Sequence, residues 1–266
     1  MLAVIRRFAT IRYPNQCLQQ VKKSIYGIIV KAKREKKKLF AVLVDPDKFN
    51  PKVIDECNKS KVDFIFIGGS GLKKEKFHSC VNTIKKLTKI PLVIFPGGKE
   101  QISEKADAIL LLSLISGRNP DYLIGEHIRA AQQLKKSKLE IIPTGYIIIG
   151  GGKKITTQKI TRTSPIKTTD VNLAVSTSIA GELLGMKMIY LEAGSGTKKP
   201  LGKSILQNVK KNISVPIIAG GGIDSPEKAK AVCNAGADVI VAGNGIEKDV
   251  TLVKKISHEL TRINTN

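Results

Sequence analysis

Met188-Ile189-Tyr190-Leu191-Glu192-Ala193-Gly194-Ser195-Gly196 is a short apolar run that ends on an acid and opens into glycines. The apolar run opening into glycines, without the acid, returns twice downstream. It appears in Val215-Pro216-Ile217-Ile218-Ala219-Gly220-Gly221-Gly222-Ile223 and in Val239-Ile240-Val241-Ala242-Gly243-Asn244-Gly245. Each apolar run reads as a buried parallel strand, short, β-branched and closed by glycine. Glycine lets backbone N–H groups approach an anion, and a helix that follows contributes the positive end of its dipole. A phosphate gripped by consecutive late strand ends is the pattern of a (β/α)₈ barrel. The expected ligand is therefore a phosphorylated small molecule.

Working outward, eight strand-like runs fall near 39–44, 62–67, 91–95, 107–112, 139–149, 186–191, 215–219 and 237–242. Helical patterns lie between most of them, at 73–88, 120–136, 171–184 and 225–235. Ser225-Pro226-Glu227 is a helix start, with Ser as N-cap and Pro at the first helical position. Alternating strands and helices predict a parallel sheet, and eight repeats predict closure into a TIM barrel. The competing architecture is an open doubly wound sheet, against which stands the missing G-x-G-x-x-G after the first strand. One domain is expected over 1–266, with 1–15 loosely ordered. Leu18, Val21, Ile25, Ile28, Ile29 and Ala32 recur at helical spacing. They predict an extra N-terminal helix over 16–37, covering the bottom of the barrel and ending in a basic run; its second reading is a membrane-surface helix.

The net charge of +23 invites a nucleic-acid reading. The cations are mostly lysine, however, with arginine only at 6, 7, 12, 34, 118, 129, 162 and 262. No zinc-finger or aromatic RNA-binding signature accompanies them, so no nucleic-acid partner is expected, and the charge suits an anionic substrate or membrane face. Cys17, Cys57, Cys80 and Cys233 show no C-x-x-C spacing. A reducing, cytoplasmic compartment is expected, with peripheral attachment to a membrane as an extension of that reading.

The strand ends carry the chemistry. Asp45-Pro46-Asp47-Lys48 closes the first strand, and two carboxylates beside an ammonium suit Mg²⁺ and a diphosphate; the plainer reading is a turn. Gly68-Gly69-Ser70-Gly71 closes the second, offering backbone and a hydroxyl. Tyr190 and Glu192 stand two residues apart and so share one face of their strand. If that face is inward, phenol and carboxylate both reach a hydroxylated ligand, whereas the plainer reading packs Tyr190 and pairs Glu192 with a lysine. His78, His127 and His258 fall on helices, away from strand ends. The segment 150–170 is basic, with Lys153, Lys154, Lys159, Arg162 and Lys167. Its two readings are a lid over the mouth and a solvated insertion.

Taken together, Asp45-Pro46-Asp47-Lys48, Gly68-Gly69-Ser70, Phe95-Pro96-Gly97, Ser116-Gly117-Arg118-Asn119-Pro120, Pro143-Thr144-Gly145-Tyr146 and Tyr190 to Gly196 resemble the geranylgeranylglyceryl phosphate synthase family. Gly220-Gly221-Gly222-Ile223 and Gly243-Asn244 complete the resemblance. It implies a modified TIM barrel that alkylates the C3 hydroxyl of sn-glycerol 1-phosphate with geranylgeranyl diphosphate. A donor of another length, such as heptaprenyl diphosphate, is the alternative. It implies Mg²⁺ at Asp45 and Ser70. Around glycerol 1-phosphate it implies Tyr190, Leu191, Glu192, Ala193, Gly194, Ser195, Gly196, Gly221, Gly222, Gly243 and Asn244, with Glu192 and Tyr190 catalytic. Homo-oligomerisation is expected because barrels often pair through outer helices. Two other classes remain: a sugar-phosphate isomerase or a lyase such as an aldolase, the latter needing an inward strand lysine that no run convincingly supplies, and a basic binding module for nucleic acid or membrane.

Overall fold

The computed structural model describes residues 24–69, 71–150, 160–194, 197 and 199–265. Eight parallel strands close into a barrel in sequence order: β1 Leu39–Val44, β2 Phe64–Ile67, β3 Leu92–Ile94, β4 Ala108–Leu114, β5 Glu140–Ile148, β6 Met188–Glu192, β7 Ile217–Gly220 and β8 Val239–Ala242. β8 pairs back onto β1, with Phe40 opposite Ile240. The sheet has no open edge, which removes the doubly wound alternative. The described α-helices are α1 Ile25–Arg34, α2 Pro51–Lys59, α3 Lys74–Leu87, α4 Glu126–Lys136, α5 Val171–Leu183, α6 Lys203–Asn212, α7 Pro226–Ala235, α8 Asn244–Lys248 and α9 Leu252–Thr265; a 3-10 turn Pro46–Lys48 follows β1 and a π-helical turn Asp121–Gly125 leads into α4.

Strand alternation divides the apolar residues into two layers. Ala41, Phe64, Phe66, Val93, Leu110, Ile142, Tyr146, Met188, Tyr190, Ile218 and Val241 fill the barrel interior. Phe40, Val42, Ile65, Ile94, Ile109, Ile147, Leu191, Ile217 and Ile240 point outward and pack beneath the helices. With no tryptophan in the chain, aliphatic side chains do this filling together with Phe64, Phe66, Tyr146 and Tyr190, against which Phe95 packs.

One outer position lacks its helix. After β3 the chain runs from Phe95 to Asp107 without helical structure, and Pro96-Gly97-Gly98 at its start discourages one. Ile102 and Ala106 from this segment pack into the outer layer in place of a helix. The barrel is modified at this point.

The bottom of the barrel is closed by α1. Its Ile25, Ile29 and Ala32 join the interior cluster, and its first N–H groups, from Ile25 and Tyr26, donate to the Glu140 carboxylate at 2.6 and 3.0 Å. A carboxylate at a helix N-terminus satisfies otherwise orphaned donors. The segment 16–23 of the expected helix lies outside the described residues, as do 1–15.

Three aspartates repeat a second device at the same end. Asp63, Asp107 and Asp238 each precede an even-numbered strand. They accept the N–H of Phe40, Leu92 and Ile217 at 2.8, 2.7 and 2.9 Å, each near the start of the preceding odd-numbered strand. Slipping the register by one residue would break these bonds and turn the inward residues outward.

Candidate active site

β6, β7 and β8 lie side by side, with Glu192 opposite Gly220 and Gly220 opposite Val241. Their three glycine-rich ends interlock. The Ala193 N–H donates to the Gly220 carbonyl at 3.0 Å. Gly221 and Gly222 adopt φ of +86° and +69°. A Cβ on Gly221 would stand 2.5 Å from Glu192 Oε1 and 2.9 Å from Gly194 N; one on Gly222 would meet the Lys199 backbone at 2.7 Å. A Cβ on Gly245 would fall 3.1 Å from Asp224 Cα. Glycine is thus required for the loops to close on one another and on Glu192.

Tyr190 and Glu192 both face the interior, as their spacing requires of residues on one strand face. Tyr190 is fully buried, and Glu192 is only 8% exposed at the mouth. Tyr190 donates its phenol hydrogen bond to the Glu192 carboxylate, and the Gly194 N–H donates to Glu192 Oε1 at 2.8 Å. No cation pairs with Glu192 among the described residues. Burial pushes its carboxyl up to about 7; the bonds from Gly194 and Tyr190 oppose that shift and do not cancel it. Burial, and then the neighbouring Glu192 charge, hold the Tyr190 phenol well above its ordinary value, so it stays a donor. Tyr190, Tyr146 and Phe95 form an aromatic trio, with ring centroids 5.2 to 5.8 Å apart.

Asp45 stands at the end of β1, partly exposed, and its Oδ1 accepts the Asp47 N–H at 2.9 Å. A Cβ on Gly69 would sit 3.1 Å from that oxygen, so the ends of β1 and β2 meet here. Lys48 Nζ lies 3.9 Å from Asp45 Oδ2, but its closest partner is Glu247 on α8 at 2.9 Å. Its charge is already answered in this arrangement. Gly243 precedes α8 and packs against Leu43 of β1, with Asn244 as the first helical residue. Ser70, Ser195 and Gly196 lie outside the described residues, as do Lys198 and 151–159. Ile160 and Thr161, beyond the latter gap, line a groove, and the Asn119 amide donates to the Thr161 carbonyl at 2.9 Å.

That groove, a cavity of about 140 Å³, opens beside the aromatic trio and passes between the β3 and β4 ends into the outer layer. Phe95, Leu112, Tyr122 and Tyr146 line its upper part; Ile102, Ile109, Ala130 and Leu134 line its outer part. It occupies the space left by the absent helix. His127 also lines it, with Nε2 2.8 Å from the Leu112 carbonyl.

Gln101 is a residue that sequence reasoning missed. It is 3% exposed, donates from Nε2 to the Gly69 carbonyl at 2.7 Å and accepts the Gly97 N–H at 3.1 Å. It thereby fastens the β2 end, beside Asp45, to the β3 end beside the groove. A lone glutamine in an irregular segment gives no periodic or motif signal.

A buried carboxylate with a neutral-range pKa, glycine loops on three adjacent strand ends and an apolar groove define a phosphate-binding barrel enzyme with an apolar second ligand. A family model described as the PcrB family matches residues 31–260. The chain is 47% identical over 237 residues to a geranylgeranylglyceryl phosphate synthase of Chitinophaga pinensis, covering 88% of this chain and 94% of that one. It is 40% identical to the Pyrococcus furiosus geranylgeranylglyceryl phosphate synthase over 81% of this chain and 87% of the relative. The crystal structure of (S)-3-O-geranylgeranylglyceryl phosphate synthase from Thermoplasma acidophilum, in complex with its substrate sn-glycerol-1-phosphate, superposes with a TM-score of 0.84 at 30% identity, covering 90% of this chain and 99% of that one. The chain belongs to the PcrB family, alongside prenyltransferases that carry the geranylgeranylglyceryl phosphate synthase name.

Proposed function

We propose that the protein joins sn-glycerol 1-phosphate to geranylgeranyl diphosphate at the C3 hydroxyl, releasing diphosphate. The single observation that carries this reading is the adjacency of the buried Tyr190–Glu192 pair, walled by glycine loops, to an apolar groove. The phosphate lies against the glycine loops of β7 and β8, and Glu192 stands where a neighbouring hydroxyl would be held. Family membership and a relative with glycerol-1-phosphate bound support the same assignment.

In this reaction the hydroxyl oxygen forms a bond to the allylic carbon while the carbon–oxygen bond to diphosphate breaks. Glu192 accepts the hydroxyl proton, and its neutral-range pKa suits that task at neutral pH. Tyr190 keeps the carboxylate in one orientation. The groove beneath Tyr146 and Phe95 excludes water from the carbon that gains positive character.

Asp45 fits Mg²⁺: this metal is commonly held by one or two carboxylates, with phosphate oxygens and water filling the rest. Asp45, with Ser70, would hold the ion, which when bound supplies charge stabilisation for the departing diphosphate. Exposed Ile124, Ile128 and Leu173 on the outer helices support homo-oligomerisation. No helix among the described residues is long and apolar enough to cross a membrane.

The test incubates the protein with labelled glycerol 1-phosphate, Mg²⁺ and prenyl diphosphates of several lengths, then measures label extracted into organic solvent. Extraction is expected with the geranylgeranyl donor; no extraction with any donor ends the proposal, and preference for a longer one corrects the chain length. Asp45→Asn is expected to raise the Mg²⁺ concentration for half-maximal rate by roughly 10-fold or more, since a charged ligand becomes neutral. An unchanged Mg²⁺ response would remove Asp45 from the metal site.

A further inference from the structure

The bottom rim of the barrel carries apolar side chains that no core accounts for. Leu183 and Leu184, where α5 ends, are 82% and 74% exposed. Val30 lies on the face of α1 turned away from its buried Ile25, Ile29 and Ala32 and is 39% exposed, while Ile28 flanks that buried face and is 37% exposed. The two elements are neighbours. Lys187 Nζ stacks over the Tyr26 ring at 5.2 Å. Lys33 donates to the Val215 carbonyl at 2.7 Å, while the adjacent Ser214 N–H donates to Glu182 at 2.8 Å.

Cations surround these side chains. Lys31, Arg34, Lys36 and Lys37 are exposed at the end of α1, and Lys187 is exposed beyond α5. Two acids lie nearby: Glu35 pairs with Lys37 at 3.0 Å and stands 3.8 Å from Lys31, and Glu182 accepts from the Ser214 backbone, so the cations outnumber them. The rim therefore combines projecting aliphatic tips with a net positive charge.

We propose that this rim docks on an anionic bilayer. Val30, Leu183 and Leu184 enter the headgroup region, and the lysines and Arg34 pair with lipid phosphates. Neither component needs to be large, because apolar insertion and electrostatic attraction add. A nucleic acid would use the cations and leave the leucines in water. A second copy meeting this face about a twofold axis would set like charges against one another. Docked this way, the barrel turns its mouth away from the lipid.

The test is co-sedimentation of the full chain with vesicles of equimolar phosphatidylglycerol and phosphatidylcholine, against vesicles of phosphatidylcholine alone. Binding is expected to the anionic vesicles only and to weaken with added salt. Leu183→Ser/Leu184→Ser and Lys31→Gln/Arg34→Gln should each weaken it by about tenfold or more, with thermal melting unchanged. Equal binding to neutral vesicles, or undiminished binding by both double variants, overturns the proposal. So does a wild-type dimer that the leucine variant dissociates without loss of vesicle binding, which assigns the face to a second copy. Tighter binding to duplex DNA than to vesicles, indifferent to the leucines, would make it a nucleic-acid surface instead.

Discussion

Glu192→Gln is expected to lower kcat by roughly 10²–10⁴-fold while making the folded protein more stable. The amide keeps the shape and can still accept the Gly194 N–H, so only proton acceptance and charge are lost. The stability effect follows from linkage. Burial raises the folded-state pKa from 4.5 to about 7. Below 4.5 the carboxyl is protonated in both states and costs nothing. Between 4.5 and 7 the unfolded chain releases a proton that the folded one retains, so stability falls as pH rises through this window and then levels off. Above neutrality the wild type carries the whole penalty, on the order of 3 kcal/mol, and the glutamine variant escapes it. Denaturant midpoints at mildly acidic and mildly alkaline pH measure the difference, which should appear only at the higher pH. For the wild type, kcat/KM should decline as pH drops through about 7, as the base takes up its proton. Near-normal turnover in the variant would remove Glu192 from the reaction.

Gly221→Ala should damage both fold and turnover. The added Cβ meets Glu192 Oε1 at 2.5 Å and two backbone nitrogens at 2.9 and 3.0 Å, from a φ of +86° that L-residues avoid. Relief requires the carboxylate or the β6 loop to move. The expected destabilisation is roughly 2–4 kcal/mol, with kcat/KM down by roughly 10²-fold from the displaced carboxylate. Gly185 supplies the control, since it has the same φ of +86° with open space around it. Gly185→Ala should cost roughly 1–2 kcal/mol of backbone strain and leave turnover alone. Equal effects in the two variants would show that backbone conformation, and not contact with Glu192, governs the first.

The barrel was legible because its signals are local and repeated. β1 spans 39–44 as read, α5 and α7 start within a residue of their expected positions, and Ser225 caps α7 as anticipated, accepting the Lys228 N–H. The Tyr190–Glu192 face followed from a period of two. Other features depend on contacts between distant segments. Nothing in the segment after Pro96 announces that the absent helix leaves a groove, because a missing element has no periodicity of its own. The pairing of Lys48 with Glu247 joins residues far apart in sequence through β1 and β8. Gln101 likewise acts only through a carbonyl and an amide on other strands. His127 matched its helical placement, yet the groove reaches it from the side.

The aspartates at Asp63, Asp107 and Asp238 have a consequence for how such a protein can change over time. They fix strand alignment from the end opposite the chemistry through main-chain N–H groups, and Lys85 and Lys210 in turn hold Asp107 and Asp238. Insertions, deletions or wholesale exchange of the mouth loops can therefore proceed without sliding one strand past the next. New ligands become accessible by rewriting loops alone, and the same separation makes this barrel a scaffold onto which foreign loops can be grafted.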